Sequence, residues 1–250
     1  MSEIAAREPV SCAPLTAAEA RRIRRRTLNY PLYVPDMGRD VTLKLINGEL
    51  AGLVTELHRL TLLGSNNAAA FLTFLRHRNL LSETPEAADA EKRCRAAAHS
   101  NHSYSQYVVA WLCKAEGDDN KTMEWLRKSS SRGLFLPAFL DVARFIVGGA
   151  GVDAPNHRAA LSIFWNAHRL GHRMALVYCA RVLSSGNLGL LWWPVGVLLY
   201  LPAFFRAYWF GRRYPLSEKV YVTPTNSNRP LFRVSDGKPA EIDFSKVESE

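Results

Sequence analysis

The chain has 250 residues, of which 48% are apolar and 22% charged, and it carries a formal net charge of +9 at pH 7. That much apolar surface excludes wholesale disorder, and the length leaves room for one array of several repeats or for one to two ordinary domains. The positive charge is uneven: residues 1–30 hold six arginines against three glutamates, densest at Arg21, Arg22, Arg24, Arg25 and Arg26, which points to an anionic surface.

Residues 1–15 read as unstructured, with no basic and then apolar layout of a secretory signal. A capping box, Thr16-Ala-Ala-Glu19, opens a short helix through the arginines. Its apolar positions are few, so it reads as a solvated basic arm or an anion-binding one. No aromatic residues interleave with the arginines, which makes nucleic acid the less favoured partner. Asn29-Tyr-Pro-Leu-Tyr-Val-Pro35 ends that helix, and the weak alternation of Val41 to Ile46 before Asn47-Gly48 predicts a short strand or extended segment.

From Glu49 the pattern is helical: Leu50, Leu53, Val54, Leu57, Leu60 and Leu63 recur at steps of three and four until Gly64. Alternating helices are then predicted near 66–79, 86–99, 103–115, 119–131, 135–147, 156–169 and 172–184, each pair forming a helical hairpin. Ala68, Ser105, Ala138 and Ala175 share one register at spacings of 37, 33 and 37 residues, the mark of a repeat array in which each unit buries its apolar face by stacking on the next.

The third unit carries the most detailed pattern. Ala138, Val142, Ala143, Ile146, Gly149, Gly151 and Val152 precede Ala160, Ile163, Ala167 and Gly171 at fixed offsets. This resembles the Sel1-like repeat family, whose unit runs A-x3-L-G-x2-Y-x2-G-x-G-V and then A-x2-W-x2-K-A-A-x2-G. The second unit holds Ser105, Val109, Ala110 and Cys113, then Thr122, Trp125, Lys128, Ser129, Ser130 and Gly133. The first holds Ala68, Leu72 and Thr73, then Ala90, Arg93, Ala96, Ala97, Ala98 and Asn101, and the last half unit holds Ala175, Cys179, Ala180, Leu183 and Gly186. The internal turn shortens to Glu116-Gly-Asp-Asp-Asn120 in the second unit and becomes Ser82-Glu-Thr-Pro85 in the first. A pitch of this size also suits tetratricopeptide repeats, but the Gly149-Ala-Gly-Val152 turn favours the Sel1 type. Trp125, Phe164 and Trp165 are expected to fill the space between layers.

After Gly186 the second helix of the fourth unit is missing from the pattern, and the chain runs apolar and uncharged from Leu188 to Phe205, then through Arg206, which stands near an end and can snorkel, to Phe210. As a helix this stretch would rise about 34 Å, enough to cross a hydrocarbon core of ~30 Å. Its leucines, valines and phenylalanines favour insertion by roughly 3–7 kcal/mol. Trp192, Trp193 and Trp209 suit the interfaces, while Leu198, Leu199, Phe204 and Phe205 suit the hydrocarbon. Pro194 and Pro202 complicate a straight span. A single span, a re-entrant or interfacial hairpin, and a buried helix capping the array all stay open. The tail after Pro215 has two β-prone runs, Lys219–Val222 and Leu231–Val234, that fit a loose hairpin or disorder equally.

The residues give no catalytic constellation, metal set or cofactor motif. Cys12, Cys94, Cys113 and Cys179 stand alone and read as free thiols in a reducing compartment. His99 and His102, and His168 and His172, read as helix-end histidines. Glu116, Asp118 and Asp119 read as a solvated turn, and Gly148-Gly-Ala-Gly151 as a hairpin turn rather than a phosphate cradle.

The expected organisation is a basic arm and lead-in over 1–48, an all-α Sel1-like solenoid over 49–187, a membrane-contacting segment over 188–210 and a polar tail over 211–250. The resemblance implies a scaffold or adaptor for an unidentified protein partner, here tethered to membrane lipid with its repeats in the cytoplasm. Contact would run through the concave face supplied by the first helices, with Gln106, Lys114, Asp141 and Arg144 expected to be exposed there. The alternative is an accessory subunit or enzyme of envelope lipid or polysaccharide metabolism.

Overall fold

A computed structural model describes residues 41, 44, 50–77, 85–131 and 135–213. Among the described residues the structure is all-helical: α1 (Leu50–Leu62), α2 (Asn66–His77), α3 (Pro85–His99), α4 (Ser103–Ala115), α5 (Asp119–Ser130), α6 (Leu136–Gly148), α7 (His157–Arg169), α8 (Arg173–Ser184) and α9 (Trp193–Arg213), with a 3-10 turn at Leu190–Trp192. Each helix packs on the next from α1 to α9, and α2 also touches α4. The basic helix at Arg21–Arg26, the turn at Asn29–Pro35, Cys12, Gly133 and the two β-prone runs of the tail lie outside the described residues. Val41 and Lys44 are helical rather than extended, which corrects the strand expected there; Val41 is buried in the core and Lys44 reaches Glu56 of α1 at 3.8 Å.

The register has a simple physical basis. Ala68, Ser105, Ala138 and Ala175 are each the third residue of their helix, and all four are fully buried. A side chain of that size lets two helix axes come to the short end of the usual 8–10 Å separation. The positions four and five residues on, Leu72-Thr73, Val109-Ala110, Val142-Ala143 and Cys179-Ala180, are buried as well. The second helices keep their own small-residue pairs seven residues apart, Ala90 with Ala97, Thr122 with Ser129 and Ala160 with Ala167, again buried.

Three corners, those between α1 and α2, α3 and α4, and α7 and α8, are built alike. The Gly171 amide donates to the His168 carbonyl at 2.9 Å and the His172 amide to Ala167 at 2.9 Å, while Asn101 donates to Ala98 at 3.2 Å and His102 to Ala97 at 3.0 Å. Gly64 and Ser65 repeat the pattern onto Thr61 and Leu60. This is the left-handed helix ending with paired back-bonds, and Asn101, at φ 65°, occupies it because asparagine tolerates that conformation better than other residues with a Cβ. His102 and His172 then stand at matching N-caps, and His99 and His168 lie in the last turns before them, as expected of helix-end histidines. Trp125 is half-buried against His99, and Phe164 is buried, but Trp165 is 50% exposed and fills no interlayer space.

The fourth unit differs from the sequence expectation. Its second helix is present, and it is α9. Gly196 and Ala203, seven residues apart, take the places held by Ala160 and Ala167 in the third unit, and both are buried against α8 together with Ala207. A Cβ at Gly196 would strike the Ser184 amide nitrogen and lie 2.7 Å from the Ala180 carbonyl oxygen, so only glycine permits this approach. Ala203, Ala207 and Val177 form a small separate core with Met174, Leu176 and Tyr200 around it. Pro194 lies in the first turn, where no backbone bond is lost, and Pro202 alone interrupts the ladder, leaving the carbonyl four residues before it without its helical donor.

Two substitutions on α9 separate its two faces. Gly196→Val should lower the free energy of unfolding by about 1–3 kcal/mol, through overpacking against α8. Leu198→Ala, on the opposite side, should change it by no more than about 0.5 kcal/mol. Urea unfolding followed by circular dichroism reads both; equal effects would mean that α9 is not seated on α8 by its small-residue face.

Candidate functional site

Along the first helices, the residues three and six beyond each register position lie on one face, because they are an i,i+3 pair. In the first unit these are Phe71 and Phe74, whose rings stack at 6.4 Å. In the second, Trp111 stands edge-on to Tyr107 at 6.3 Å and to Phe145 of α6 at 6.3 Å. In the third they are Asp141 and Arg144, joined at 2.6 Å. In the fourth they are Tyr178 and Arg181, with the guanidinium 5.8 Å from the ring centre. Phe71, Phe74 and Asp141 are buried, so the part of this row that reaches the surface runs from Trp111 to Arg144, Tyr178 and Arg181.

Lys114, three residues beyond Trp111, lies over the Phe145 ring at 5.3 Å and pairs with Asp119 of α5. Arg144 sits 5.8 Å from the Tyr178 ring, which stacks on Phe164 at 5.3 Å. These contacts link α4, α6, α7 and α8 in one run of rings and cations, the arrangement that cation–π attraction favours where water is partly excluded. The Trp111 indole nitrogen is buried with no hydrogen-bond partner among the described residues.

Two of the four expected contact residues are not on a surface at all. Asp141 is 1% exposed and accepts a hydrogen bond from the Tyr107 hydroxyl at 2.7 Å besides the one from Arg144. Gln106 is 3% exposed, and its side-chain amide donates to the Ala98 carbonyl at 3.1 Å, tying α4 to α3. Both are polar because they satisfy buried groups, which hydropathy alone does not distinguish from exposure. Lys114 and Arg144 remain on the face, Lys114 half-exposed and Arg144 nearly covered. Burial works against the Arg144 charge, but Asp141 beside it more than offsets this and holds its pKa above the ordinary value. Burial likewise pushes the Tyr178 hydroxyl up, so this ring stays neutral. Tyr107, Trp111, Phe145, Tyr178 and Arg181 were missed; the repeat register, counted three and six positions on, finds Trp111, Tyr178 and Arg181.

The other candidate residues fall into four groups. Trp192, Trp193, Leu198, Phe204, Phe205 and Trp209 are exposed on the 3-10 turn and α9, whereas Leu199 is half-buried at the edge of the α8 contact. Leu191, at 90%, and Leu198, at 77%, are among the most exposed apolar side chains. Arg21, Arg22, Arg24, Arg25 and Arg26 lie outside the described residues. The acidic turn is a cap: Asp118 accepts from the Lys121 amide at 2.9 Å, and Glu116 meets Arg95 at 3.4 Å. Among the described residues no cluster of His, Cys, Asp and Glu could hold a metal. Cys94, Cys113 and Cys179 are buried free thiols, and burial raises the pKa of Cys94 to about 11 and of Cys179 to about 12.

This arrangement of helical hairpins with repeated small-residue seams is a Sel1-like helical-repeat solenoid. The crystal structure of a Sel1 repeat protein from Oxalobacter formigenes superimposes with a TM-score of 0.50 over 68% of this chain and 70% of that one, at 19% identity. The sequence matches no family model and no curated protein.

The buried Tyr107–Asp141–Arg144 link makes a graded prediction. Asp141→Ala should destabilise the protein by about 3–5 kcal/mol, because it removes the buried carboxylate to which both the Arg144 guanidinium and the Tyr107 hydroxyl donate. Tyr107→Phe should cost only about 1 kcal/mol. Chemical denaturation of the two variants gives this order if Asp141 is a fixed internal partner; a near-neutral Asp141→Ala would show the carboxylate to be exposed and unpaired.

Proposed function

We propose that the protein is a membrane-tethered helical-repeat scaffold, in which the first-helix face of the array holds a protein partner and the outer face of α9 holds the bilayer. The observation that carries the tether is the outer face itself. Residues 190–210 are long and apolar enough to cross a membrane, and only 17% of that stretch is buried. Val197, Leu198, Leu201, Phe205, Tyr208 and Trp209 remain open after the fold is complete. A continuous apolar surface of this kind marks an interaction site on a soluble fold.

The packing favours a helix lying in the membrane surface over a span. α8 runs beside α9 from Ser184, near Gly196, to Arg173, whose guanidinium is 5.2 Å from the Phe210 ring. A docked α9 could enter the hydrocarbon only by drawing α8 with it. Arg173, Arg181 and Arg206 would then cost up to about 7.5–10.5 kcal/mol at the midplane value of 2.5–3.5 each, less where they snorkel, which offsets the roughly 3–7 kcal/mol that the apolar residues return. Lying flat, α9 keeps its small-residue face on α8 and offers leucine, phenylalanine and tryptophan to the acyl boundary.

On the other face, the part-exposed run from Trp111 and Lys114 to Tyr178 and Arg181 suits an extended or helical segment that carries both apolar and acidic side chains. The enzyme alternative draws no support from the membrane end. Residues 154–217 contain no Asp or Glu, so α7–α9 supply no carboxylate to a pocket there.

The tether is tested by placing glutamine on the outer face alone. With Leu198→Gln and Phe205→Gln combined, the full chain should move from the membrane to the soluble fraction of expressing cells after a high-salt wash, with its helical circular dichroism unchanged. An unaltered chain that is already soluble under that wash would contradict the proposal.

A further inference from the structure

Residues 154–217 hold seven arginines, Arg158, Arg169, Arg173, Arg181, Arg206, Arg212 and Arg213, with no lysine and no carboxylate. The helices from α2 to α6 differ: there Arg76, Arg95, Lys114, Lys121, Lys128 and Arg144 each meet an aspartate or glutamate. Among the described residues, none of Arg169, Arg173 and Arg206 has a carboxylate partner. The α7–α9 end of the array therefore carries positive charge with no carboxylate of its own, and it also carries the exposed apolar face.

Two of these arginines converge. Arg173 is the first residue of α8, its Nε buried with no hydrogen-bond partner, and it lies against Phe210 of α9. Arg206 is exposed, three residues after Ala203 and one before Ala207, which places it on the flank of α9 between the α8 contact and the outer apolar face. His168, at the end of α7, completes the group: its Nδ1 is buried and unpartnered, and its ring lies 5.6 Å from the half-exposed Trp165. Burial first, and then the nearby charges of Arg206 and Arg173, push the His168 pKa down, as expected where cations gather with no anion between them.

We infer that Arg173 and Arg206, with His168 beside them, form a binding site for the phosphate of anionic lipid headgroups, at the rim of the α9 membrane face. The inference rests on the membrane reading above and adds a lipid class to it. A helix lying in the interface puts its flank at headgroup depth, where an arginine meets lipid phosphate through parallel N–H donors while the ring surfaces beside it reach the acyl boundary. Charge complementarity decides against a second copy of this chain as the occupant, because a symmetric contact through this face would bring arginines toward arginines with no carboxylate from residues 154–217 to offset them.

The test is flotation of the full chain with vesicles of phosphatidylcholine alone and of phosphatidylcholine containing phosphatidylglycerol. The unaltered protein should bind the second kind more tightly. Arg206→Gln and Arg173→Gln should each weaken that binding about fivefold and leave binding to phosphatidylcholine unchanged. Arg127→Gln and Lys92→Gln, exposed on α5 and α3, remove the same charge far from α9 and should change it less than about twofold. Arg206 is exposed, so its variant carries the test if loss of the Arg173–Phe210 contact perturbs folding. Equal binding to both kinds of vesicle, or equal losses from the distant substitutions, would overturn the headgroup site and leave the tether standing. Failure to bind either kind would overturn both.

Discussion

Close approach of helices at small-residue seams is the constraint on which the other features of this protein depend. Ala68, Ser105, Ala138 and Ala175 do this for the first helices, and the pairs led by Ala90, Thr122 and Ala160 do it for the second. A larger side chain at any of these points would force the axes apart and break the stacking of the next unit, because a densely packed interior has no room to absorb it. Each hairpin is stable only in the company of its neighbours, so the array must end in a layer that is closed on one side and open on the other.

The last layer meets that requirement in an unusual way. Its seam leaves no room for a Cβ at Gly196, which would meet the backbone of α8. Its outer side is not the polar cap that a soluble solenoid needs but a surface of leucine and aromatic residues. One helix thus carries two surfaces of different character, a small-residue face packed on α8 and an exposed apolar face. The inner one is specified by size, and the outer one by hydropathy and by uncompensated arginine at its margin.

Much of this was legible in the sequence, because repetition multiplies weak local signals. Eight helix positions followed from periodicity to within about two residues, the ordinary uncertainty of helix ends. The four register residues foretold their own burial. The second helix of the fourth unit was not legible, because a run that is apolar on every side hides the side on which it packs, and a glycine and two alanines carry little weight in a hydropathy sum. Gln106 and Asp141 misled for the converse reason: their polarity serves Ala98, Tyr107 and Arg144 inside the fold, partners that no local pattern announces. The absence of carboxylates over residues 154–217 was available in the sequence and gained meaning only when α8 was seen to pack on both α7 and α9.

The central claim is that α9 stays seated on α8 while its outer face meets the membrane, and a distance between nitroxide labels tests it most directly. Leu170 and Trp209 are both exposed and flank the end of the α8–α9 contact farthest from the connecting turn. Labelled there as cysteines in a Cys12→Ser background, with the buried native thiols left unreacted, the full chain can be measured by pulsed electron paramagnetic resonance in solution and on vesicles. The account predicts the same narrow distance distribution in both. A shift to longer or broader distances on vesicles would show that α9 leaves the array to enter the bilayer, and would contradict it.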